Sequence, residues 1–253
     1  MSEITPNCVM FAGPTLHGVE RFATAPTYGI RVLPPVRRGD IEAIVSAYPP
    51  GVIAIVDGLF QQCLSVGHAE IRDAVSGGWT VWGLSSMGAI RAYEMRHLGV
   101  RGYGRVYEYF FKHDDFRDDE IALIHRPEPP YHALTEPLVH IRFFLRELLK
   151  SCVLTKKHES AILDDLTSMW FGDRTLSLVR SMILGLIPQH EATVDAMLAN
   201  FDRFRLKCHD LSDFLREQPW KTHQARVTAG SQCAASDLRL VDQTEGRRIG
   251  EQS

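Results

Sequence analysis

Short runs of apolar residues, several of them rich in β-branched side chains, alternate with helical patterns in the first half of the chain. The apolar runs are typical of buried strands and lie at residues 8–13, 30–35, 52–58 and 79–85. Residues 39–48 and 66–78 place apolar side chains at helical spacing; Asp40 stands where it would cap the first helix, and Gly77-Gly78 ends the second. This alternation predicts an α/β fold, with a mostly parallel sheet flanked by helices in the N-terminal half.

Helical patterns dominate the second half of the chain. Aromatic, acidic and proline residues mix after Tyr103, which indicates a structured but irregular crossover whose surface contacts a partner. Apolar residues at helical spacing then predict about four helices, at residues 138–154, 159–172, 175–187 and 191–218. After Trp220 the sequence is polar and loses this spacing. We therefore predict an α/β core over residues 1–130, a helical C-terminal portion over 131–220 and a disordered tail over 221–253.

Composition narrows the classes of function. The chain has 253 residues, a formal net charge of −3 and five widely spaced cysteines without a CxxC pair. There is no global basic field to hold nucleic acid or an anionic membrane, and no run of apolar residues is long enough to span one. The N-terminus does not resemble a secretion signal. We expect a cytoplasmic protein that binds neither nucleic acid nor membrane.

The turn between the last predicted strand and the helix after it carries two serines, Ser85 and Ser86. A hydroxyl placed there, beside the free amides of a helix start, is how several unrelated hydrolases present a serine nucleophile. The amides of Met87 and Gly88 would then hold an oxyanion, and Gly88 would let a carbonyl group approach the backbone. The alternative is that Ser86 is an ordinary helix N-cap, a position where serine is common.

Two further loops are predicted at the same edge of the sheet. Gly13, Pro14 and Thr15 follow the first strand and could cradle an anion with turn amides, and Asp57 follows the third strand. The loop at Gly13 lacks the spacing of a dinucleotide or P-loop motif, so those sites are disfavoured. These four residues are candidates for substrate binding.

Two arginines are candidates for binding an anionic substrate. Arg38 precedes a predicted helix start, and Arg91 lies about one turn into the helix after Ser86. Each has a simpler interpretation: Arg38 in a solvated turn, and Arg91 in an i,i+3 pair with Glu94.

A serine nucleophile needs a base, and the sequence offers several candidates. His68 and Glu70 begin the helix before the serine strand, and a lysine from elsewhere would do the same work. The alternative for His68 and Glu70 is a polar first helical turn that complements the helix dipole. The acidic run at residues 114–120 lacks the spacing of a calcium loop, and His125 and His132 do not form a zinc pair. We expect neither a metal nor a cofactor.

Seven short motifs, taken in order, resemble those of the TfuA-like family. They are GPTL at Gly13, PPVRRGD at Pro34, DGLF at Asp57, HAEI at His68, SMGAIRAYE at Ser86, DDE at Asp118 and the EP of Glu136-Pro137. The resemblance covers roughly residues 8–140, and the order and spacing of the motifs make it specific.

The resemblance implies a partner and a reaction. TfuA-like proteins accompany YcaO enzymes, which use ATP to activate peptide amides, and the pair installs backbone thioamides in a precursor peptide or an archaeal enzyme. The implied role is to hydrolyse the C-terminal thiocarboxylate of a small ThiS-like sulfur-carrier protein, to supply sulfide, and to help the YcaO enzyme engage its peptide. The family's active site is built on a Ser-Lys pair, and its serine carries over to Ser86.

The lysine does not carry over. The family's lysine is expected at the second residue of the HAEI motif, which is Ala69 in this chain. Either His68 or another lysine such as Lys112 takes the role, or hydrolysis is altered or lost. The sequence thus leaves three hypotheses: a thiocarboxylate hydrolase, a non-catalytic adaptor that docks on YcaO and holds carrier or precursor peptide, and a small-molecule or nucleotide site at Gly13.

Overall fold

A computed structural model of the chain describes residues 8–19, 29–59, 63–112 and 117–221. Contacts divide the chain into two units, Met1–Arg216 and Glu217–Ser253. The boundaries predicted at residues 130 and 220 stay predictions. The predicted tail, Lys221 apart, lies outside the described residues.

The sheet has five parallel strands in the order β2-β1-β3-β4-β5, which confirms the predicted parallel α/β fold. The strands are β1 (Cys8–Phe11), β2 (Ile30–Leu33), β3 (Val52–Ile55), β4 (Thr80–Leu84) and β5 (Arg101–Tyr103). Four of them lie where the apolar runs predicted strands. β5 was not predicted, because its three residues, Arg101–Tyr103, contain no apolar run.

Nine α-helices complete the described part of the chain. They are α1 (Asp40–Ala47), α2 (His68–Ser76), α3 (Met87–Glu94), α4 (Arg105–Lys112), α5 (Leu138–Lys150), α6 (Lys156–Ser168), α7 (Leu176–Leu186), α8 (Glu191–Leu198) and α9 (Leu206–Glu217). The helical C-terminal portion is confirmed, with five helices in place of about four. The last predicted helix is divided by a 3-10 helix, Phe201–Phe204, whose two phenylalanines are buried in the core between the C-terminal helices.

The start of α1 differs from the prediction for Asp40. The N-cap is Gly39, whose φ of 89° lies in the left-handed region that glycine tolerates. Asp40 is the first helical residue, and its carboxylate accepts a hydrogen bond from the Arg37 amide at 2.8 Å. Asp40 therefore closes the turn before the helix and does not cap the helix.

One hydrophobic core lies between the sheet and helices α1, α2 and α3. Side chains on alternate positions of the strands, such as Phe11, Ile53 and Val81, pack there against Ile41 and Ile71. A second core joins α5 to the helices that follow it. On the other face of the sheet, Phe214 of α9 lies edge-on to Trp82 of β4, with ring centroids 5.7 Å apart.

Helix α3 approaches the sheet so closely that only glycine fits at the contact. A Cβ at Gly88 would lie 1.8 Å from the carbonyl oxygen of Ile55, and one at Gly83 would lie 2.0 Å from the carbonyl oxygen of Gly88. This close approach fixes the position of the turn that joins β4 to α3. Gly88 therefore serves helix packing, the role that a glycine plays where a helix must lie against a strand.

We expect Gly88→Ala to lower the free energy of unfolding by roughly 3 kcal/mol, because the new methyl group meets backbone that cannot rotate away. Gly185→Ala in α7 is the matched control: apart from the adjoining backbone of the helix itself, no described atom lies within 4 Å of the added Cβ. That change should raise stability by about 0.5 kcal/mol, because it reduces the freedom of the unfolded chain. Urea denaturation of the three proteins measures both changes. Equal stability of Gly88→Ala and wild type would contradict the packing described here.

Candidate functional site

The carboxyl ends of β1, β3 and β4 lie level at one edge of the sheet. Phe11 pairs with Ile55, and Ile55 pairs with Gly83, so the loops after these strands begin side by side. The strand order reverses between β1 and β3, since the chain passes from β1 to β2 on one side and then to β3 on the other. In open α/β sheets, ligands bind at such a switch point, outside the carboxyl ends of the strands.

Asp57 joins the loop after β3 to the loop after β1. Its buried carboxylate accepts hydrogen bonds from the amides of Gly13 at 2.8 Å and Thr15 at 3.0 Å, and from the Thr15 hydroxyl at 2.7 Å. The structure thus brings together Gly13, Pro14, Thr15 and Asp57. The amides of Gly13 and Thr15 bind the Asp57 carboxylate and are not free for an external anion. Binding of substrate by these four residues stays a prediction.

The two serines in the turn after β4 have different environments. Ser85 has a φ of 63°, which is rare for a residue with a side chain, and its buried hydroxyl donates to the carbonyl oxygen of Lys207 at 2.9 Å. Ser86 is the residue before α3 and is 3% exposed, but its hydroxyl makes no capping hydrogen bond. Within the described residues it donates to no acceptor. In hydrolases with a nucleophile elbow, the strained backbone and the free hydroxyl belong to one serine. In this chain the strained backbone belongs to Ser85, whereas the hydroxyl without a partner belongs to Ser86.

The amides at the start of α3 are only partly free. The Gly88 amide donates to the Val56 carbonyl oxygen at 3.2 Å, and the Ala89 amide donates to the Ser86 carbonyl oxygen at 2.8 Å. In this structure the Gly88 amide is therefore not free to donate to an oxyanion. The Met87 amide makes no backbone hydrogen bond to any described residue.

Lys207, at the start of α9, is buried against the serine turn. It is 2% exposed, and its Nζ donates one hydrogen bond, to the Ile121 carbonyl oxygen at 3.0 Å. Among the described residues, no carboxylate lies within 4 Å of Nζ, and no second acceptor binds it. Burial lowers the pKa of Lys207, and the more distant Asp57 and Glu136 oppose that shift.

A buried polar cluster holds Lys207 in place. Glu136 accepts a hydrogen bond from His140 Nδ1 at 2.9 Å and from the Arg205 guanidinium at 2.6 Å. The other imidazole nitrogen of His140 accepts the backbone amide of Lys207 at 3.3 Å. This bonding requires the neutral imidazole that carries its proton on Nδ1.

The pKa values in this cluster agree with that arrangement. Burial lowers the pKa of His140 to about 4, although the hydrogen bond to Glu136 opposes the shift. Burial alone would raise the pKa of Glu136, but the hydrogen bond from His140 and the charge of Arg205 hold it below the usual value. A carboxylate and a neutral imidazole therefore lie beneath Lys207 near neutral pH.

A small pocket opens beside Lys207. Its volume is about 110 Å³, and its walls come from the loop after β1, the crossover before α5 and the start of α9. Thr15, Tyr131, Glu136, Lys207 and Cys208 are among the lining residues. Ser86 is not among them, and Lys207 is the residue that contacts both the pocket and the serine turn.

His68 and Arg91 lie away from this pocket, at the far end of α3. His68 Nε2 lies 2.8 Å from the Glu94 carboxylate, and Arg91 pairs with the same carboxylate at 2.7 Å. Arg91 also donates to the Val66 carbonyl oxygen. Glu94 is eight residues beyond Ser86, about 12 Å along a helix, so the structure does not bring His68 to the serine hydroxyl. Of the two interpretations of Arg91, the structure thus contains the simpler one, the i,i+3 ion pair with Glu94.

Arg38 lies at a separate groove between α1 and α2. The groove has a volume of about 540 Å³, and Arg38, His68 and Ala69 contribute to its walls. Glu70 accepts hydrogen bonds from the Gly67 amide at 2.7 Å and the Gly39 amide at 3.0 Å, so it caps both helices. The other lysine considered above, Lys112, is exposed and bonds Glu108.

Sequence reasoning missed Lys207, and one signal pointed to it. In α9 the buried residues fall on one stripe, on which Lys207 and Asp210 take positions shared with Leu211 and Phe214. A charged side chain on the apolar stripe of a helix is either paired or functional. The i,i+4 spacing of Glu136 and His140 is a second signal of the buried cluster.

The described residues contain no cluster of histidine, cysteine and carboxylate side chains arranged to hold a metal ion. None of their helices combines the length and the apolar character that crossing a bilayer requires.

We expect the folded state to lose stability as the pH falls from about 6.5 to about 4, because the buried His140 stays neutral while the unfolded chain takes up a proton. The folded-state pKa is below the unfolded value, so this contribution is fully present above pH 6.5 and is lost on acidification. It amounts to about 3 kcal/mol. Urea denaturation across this range should give a shallower pH dependence for His140→Gln than for wild type. The control, His97→Gln at an exposed position, should keep the wild-type slope; an unchanged slope in His140→Gln would contradict the expectation.

A comparison with protein families identifies the relationship of this chain to known proteins. A family model described as TfuA-like protein matches residues 57–175. No curated protein matches the chain. The match begins at Asp57, contains the serine turn and Glu136, and ends before Lys207. This match over residues 57–175 supports the assignment of the chain to the TfuA-like protein family.

Proposed function

We propose that this protein is an accessory protein of YcaO-dependent thioamidation, and that it hydrolyses the thiocarboxylate of a ThiS-like sulfur carrier through Ser86. The observation that carries the proposal is the state of the Ser86 hydroxyl. It lies at the start of α3 without making a capping bond, beside a turn that contacts the buried Lys207. A serine that only capped the helix would bind one of the first helix amides.

The chemistry needs a nucleophile, an oxyanion donor and a cation. Ser86 Oγ attacks the thiocarboxylate carbon of the carrier's terminal glycine, and the Met87 amide holds the developing oxyanion. The carbon-sulfur bond then breaks, and the Ser86 proton passes to the departing sulfur, which leaves as hydrosulfide. An ester of Ser86 remains. Water hydrolyses it to the carrier carboxylate, restoring the Ser86 hydroxyl and releasing one proton.

In this proposal Lys207 is the cation that binds the anionic substrate, a role for which Arg38 and Arg91 were the candidates from the sequence. Attack on an anionic thiocarboxylate requires positive charge near the reacting group, and both arginines lie elsewhere. Lys207 is the cation whose backbone carbonyl bonds the serine turn. His68, held by Glu94, receives no role in the proposed reaction.

The proposed partners follow from the family. Hydrosulfide passes to a YcaO enzyme, which uses ATP to activate the amide of a precursor peptide, and the reaction takes place in the cytoplasm. A thin glycine tail suits the narrow space at the carboxyl edge of the sheet.

A second candidate is a non-catalytic adaptor that docks on YcaO and recruits sulfur carrier or precursor peptide. The amide of Gly88 favours it, because this amide bonds Val56 and leaves a hydrolase with one oxyanion donor fewer than expected. The low exposure of Ser86 favours it as well. Hydrolase and adaptor differ in whether the carrier is consumed.

The test mixes the purified protein with thiocarboxylated ThiS-like carrier and follows both sulfide and carrier mass. We expect release by wild type and a loss on the order of 10⁴-fold or more in Ser86→Ala, because the nucleophile is removed. Ser85→Ala is the matched control. It removes one hydrogen bond to Lys207, and release should fall by no more than about tenfold.

Three results would count against the hydrolase. No release by wild type, with the carrier still bound, would identify the adaptor. Equal release by Ser86→Ala and wild type would exclude Ser86 as the nucleophile. A larger loss in Ser85→Ala than in Ser86→Ala would move the nucleophile to the strained residue.

A further inference from the structure

We infer that the pocket beside Lys207 is a binding site for a small monoanion of the carboxylate class, held by the buried Lys207 ammonium group. The inference rests on the proposed function in one respect: the ligand is taken to be the anionic end of the proposed acyl substrate. Binding does not require hydrolysis, so the two are tested separately.

The Lys207 ammonium group, which is the protonated form of the side chain, has three N–H donors, and only the Ile121 carbonyl oxygen accepts one of them among the described residues. A buried charge without a partner is costly, which is why burial lowers the pKa of Lys207. An anion bound beside Nζ would favour the protonated form and accept hydrogen bonds from the two remaining donors. A carboxylate or a thiocarboxylate provides the two neighbouring acceptor atoms.

The carboxylates nearest to Lys207 already bind other groups. The Asp57 carboxylate accepts hydrogen bonds from Gly13 and Thr15, and the Glu136 carboxylate accepts them from His140 and Arg205. Neither carboxylate forms an ion pair with Lys207 Nζ. Among the described residues, Lys207 therefore has no close counter-ion.

The charges near Lys207 favour a monoanion over a dianion. Asp57 and Glu136 act on Lys207 from a distance and would repel a dianion such as phosphate more strongly than a monoanion. The other titratable neighbours add no negative charge. His140 is neutral above a pKa of about 4, and burial raises the pKa of the Cys208 thiol to about 12. Arg205 is bound to Glu136 and Asp202.

The volume of the pocket limits the size of the ligand. A volume of about 110 Å³ admits a carboxylate at the end of an unbranched chain but not a nucleotide. The wall residue Tyr131 has a φ of 58°, a conformation that a bulky residue keeps only when its surroundings impose it. The wall of the pocket is thus built and held.

The experiment titrates the full-length protein with acetate, thioacetate, acetylglycylglycine and phosphate, and follows the side-chain signals of ¹³C-labelled lysine by NMR. The chain contains six lysines, so the spectrum is simple. We expect saturable binding of the three monoanions with millimolar dissociation constants, about −4 kcal/mol, and none of phosphate at the same concentrations. The amide of acetylglycylglycine should not bind, which separates recognition of the terminal anion from recognition of the chain.

Two variants locate the binding. Lys207→Met keeps the length of the side chain and removes the charge, and it should weaken acetate binding at least tenfold. Lys112→Met removes an exposed lysine that pairs with Glu108 and should leave the affinity within twofold. If Lys207→Met does not fold, the wild-type titration decides, because the signal of the buried lysine must shift with acetate while that of Lys112 stays in place.

Several outcomes would overturn the inference. Absence of saturable binding would mean that the pocket holds water only. Equal binding of acetate and phosphate, or unchanged affinity in Lys207→Met, would place the anion elsewhere. Anion binding without sulfide release would support the anion site and contradict the hydrolase function. Sulfide release without acetate binding would contradict the anion site alone.

Discussion

The carboxylate of Asp57 is the interaction on which the candidate site depends. It closes the switch point of the sheet by binding the two amides and the hydroxyl of the loop after β1. The Asp57 side chain thus occupies the place where many α/β proteins hold an external anion. In the proposed reaction, the anionic thiocarboxylate must therefore be recognised by a cation at this edge, and among the described residues Lys207 is the one buried against the serine turn.

Two constraints then fix what the serine turn offers. The close contact of Gly88 with the Ile55 carbonyl group holds α3 on the sheet and uses the Gly88 amide. The bond from Ser85 to the Lys207 carbonyl oxygen ties the turn to α9. The groups that bind no other described residue are the Ser86 hydroxyl, the Met87 amide and, in the protonated side chain, two N–H groups of Lys207. A nucleophile, an oxyanion donor and an anion donor are the groups that acyl transfer from a thiocarboxylate needs.

Local patterns predicted the fold well and the site in part. Apolar runs located β1, β3 and β4 because a parallel strand buried on both faces is apolar throughout. The edge strand β2 was found by its apolar residues Ile30, Val32 and Leu33, whereas the other edge strand, Arg101–Tyr103, has no apolar run. The loop positions of Gly13, Asp57 and Ser86 followed from the strands that precede them. The contacts of Lys207 and His68 could not be predicted, because a helical pattern shows which face of a helix is buried but not which residues pack against that face. Lys207 meets Ser85 across 122 positions of sequence, and His68 meets Glu94 across 26.

The most direct test of the account is to identify the acyl-enzyme. The protein is mixed with thiocarboxylated sulfur carrier, quenched in acid within the first turnover and digested, and the attachment site of the carrier's terminal glycine is located by peptide mass spectrometry. The account predicts an ester on Ser86, formed as sulfide appears and lost as the carrier carboxylate accumulates. An ester on Ser85, a thioester on Cys208, or sulfide release with no acylated peptide at any time would contradict it.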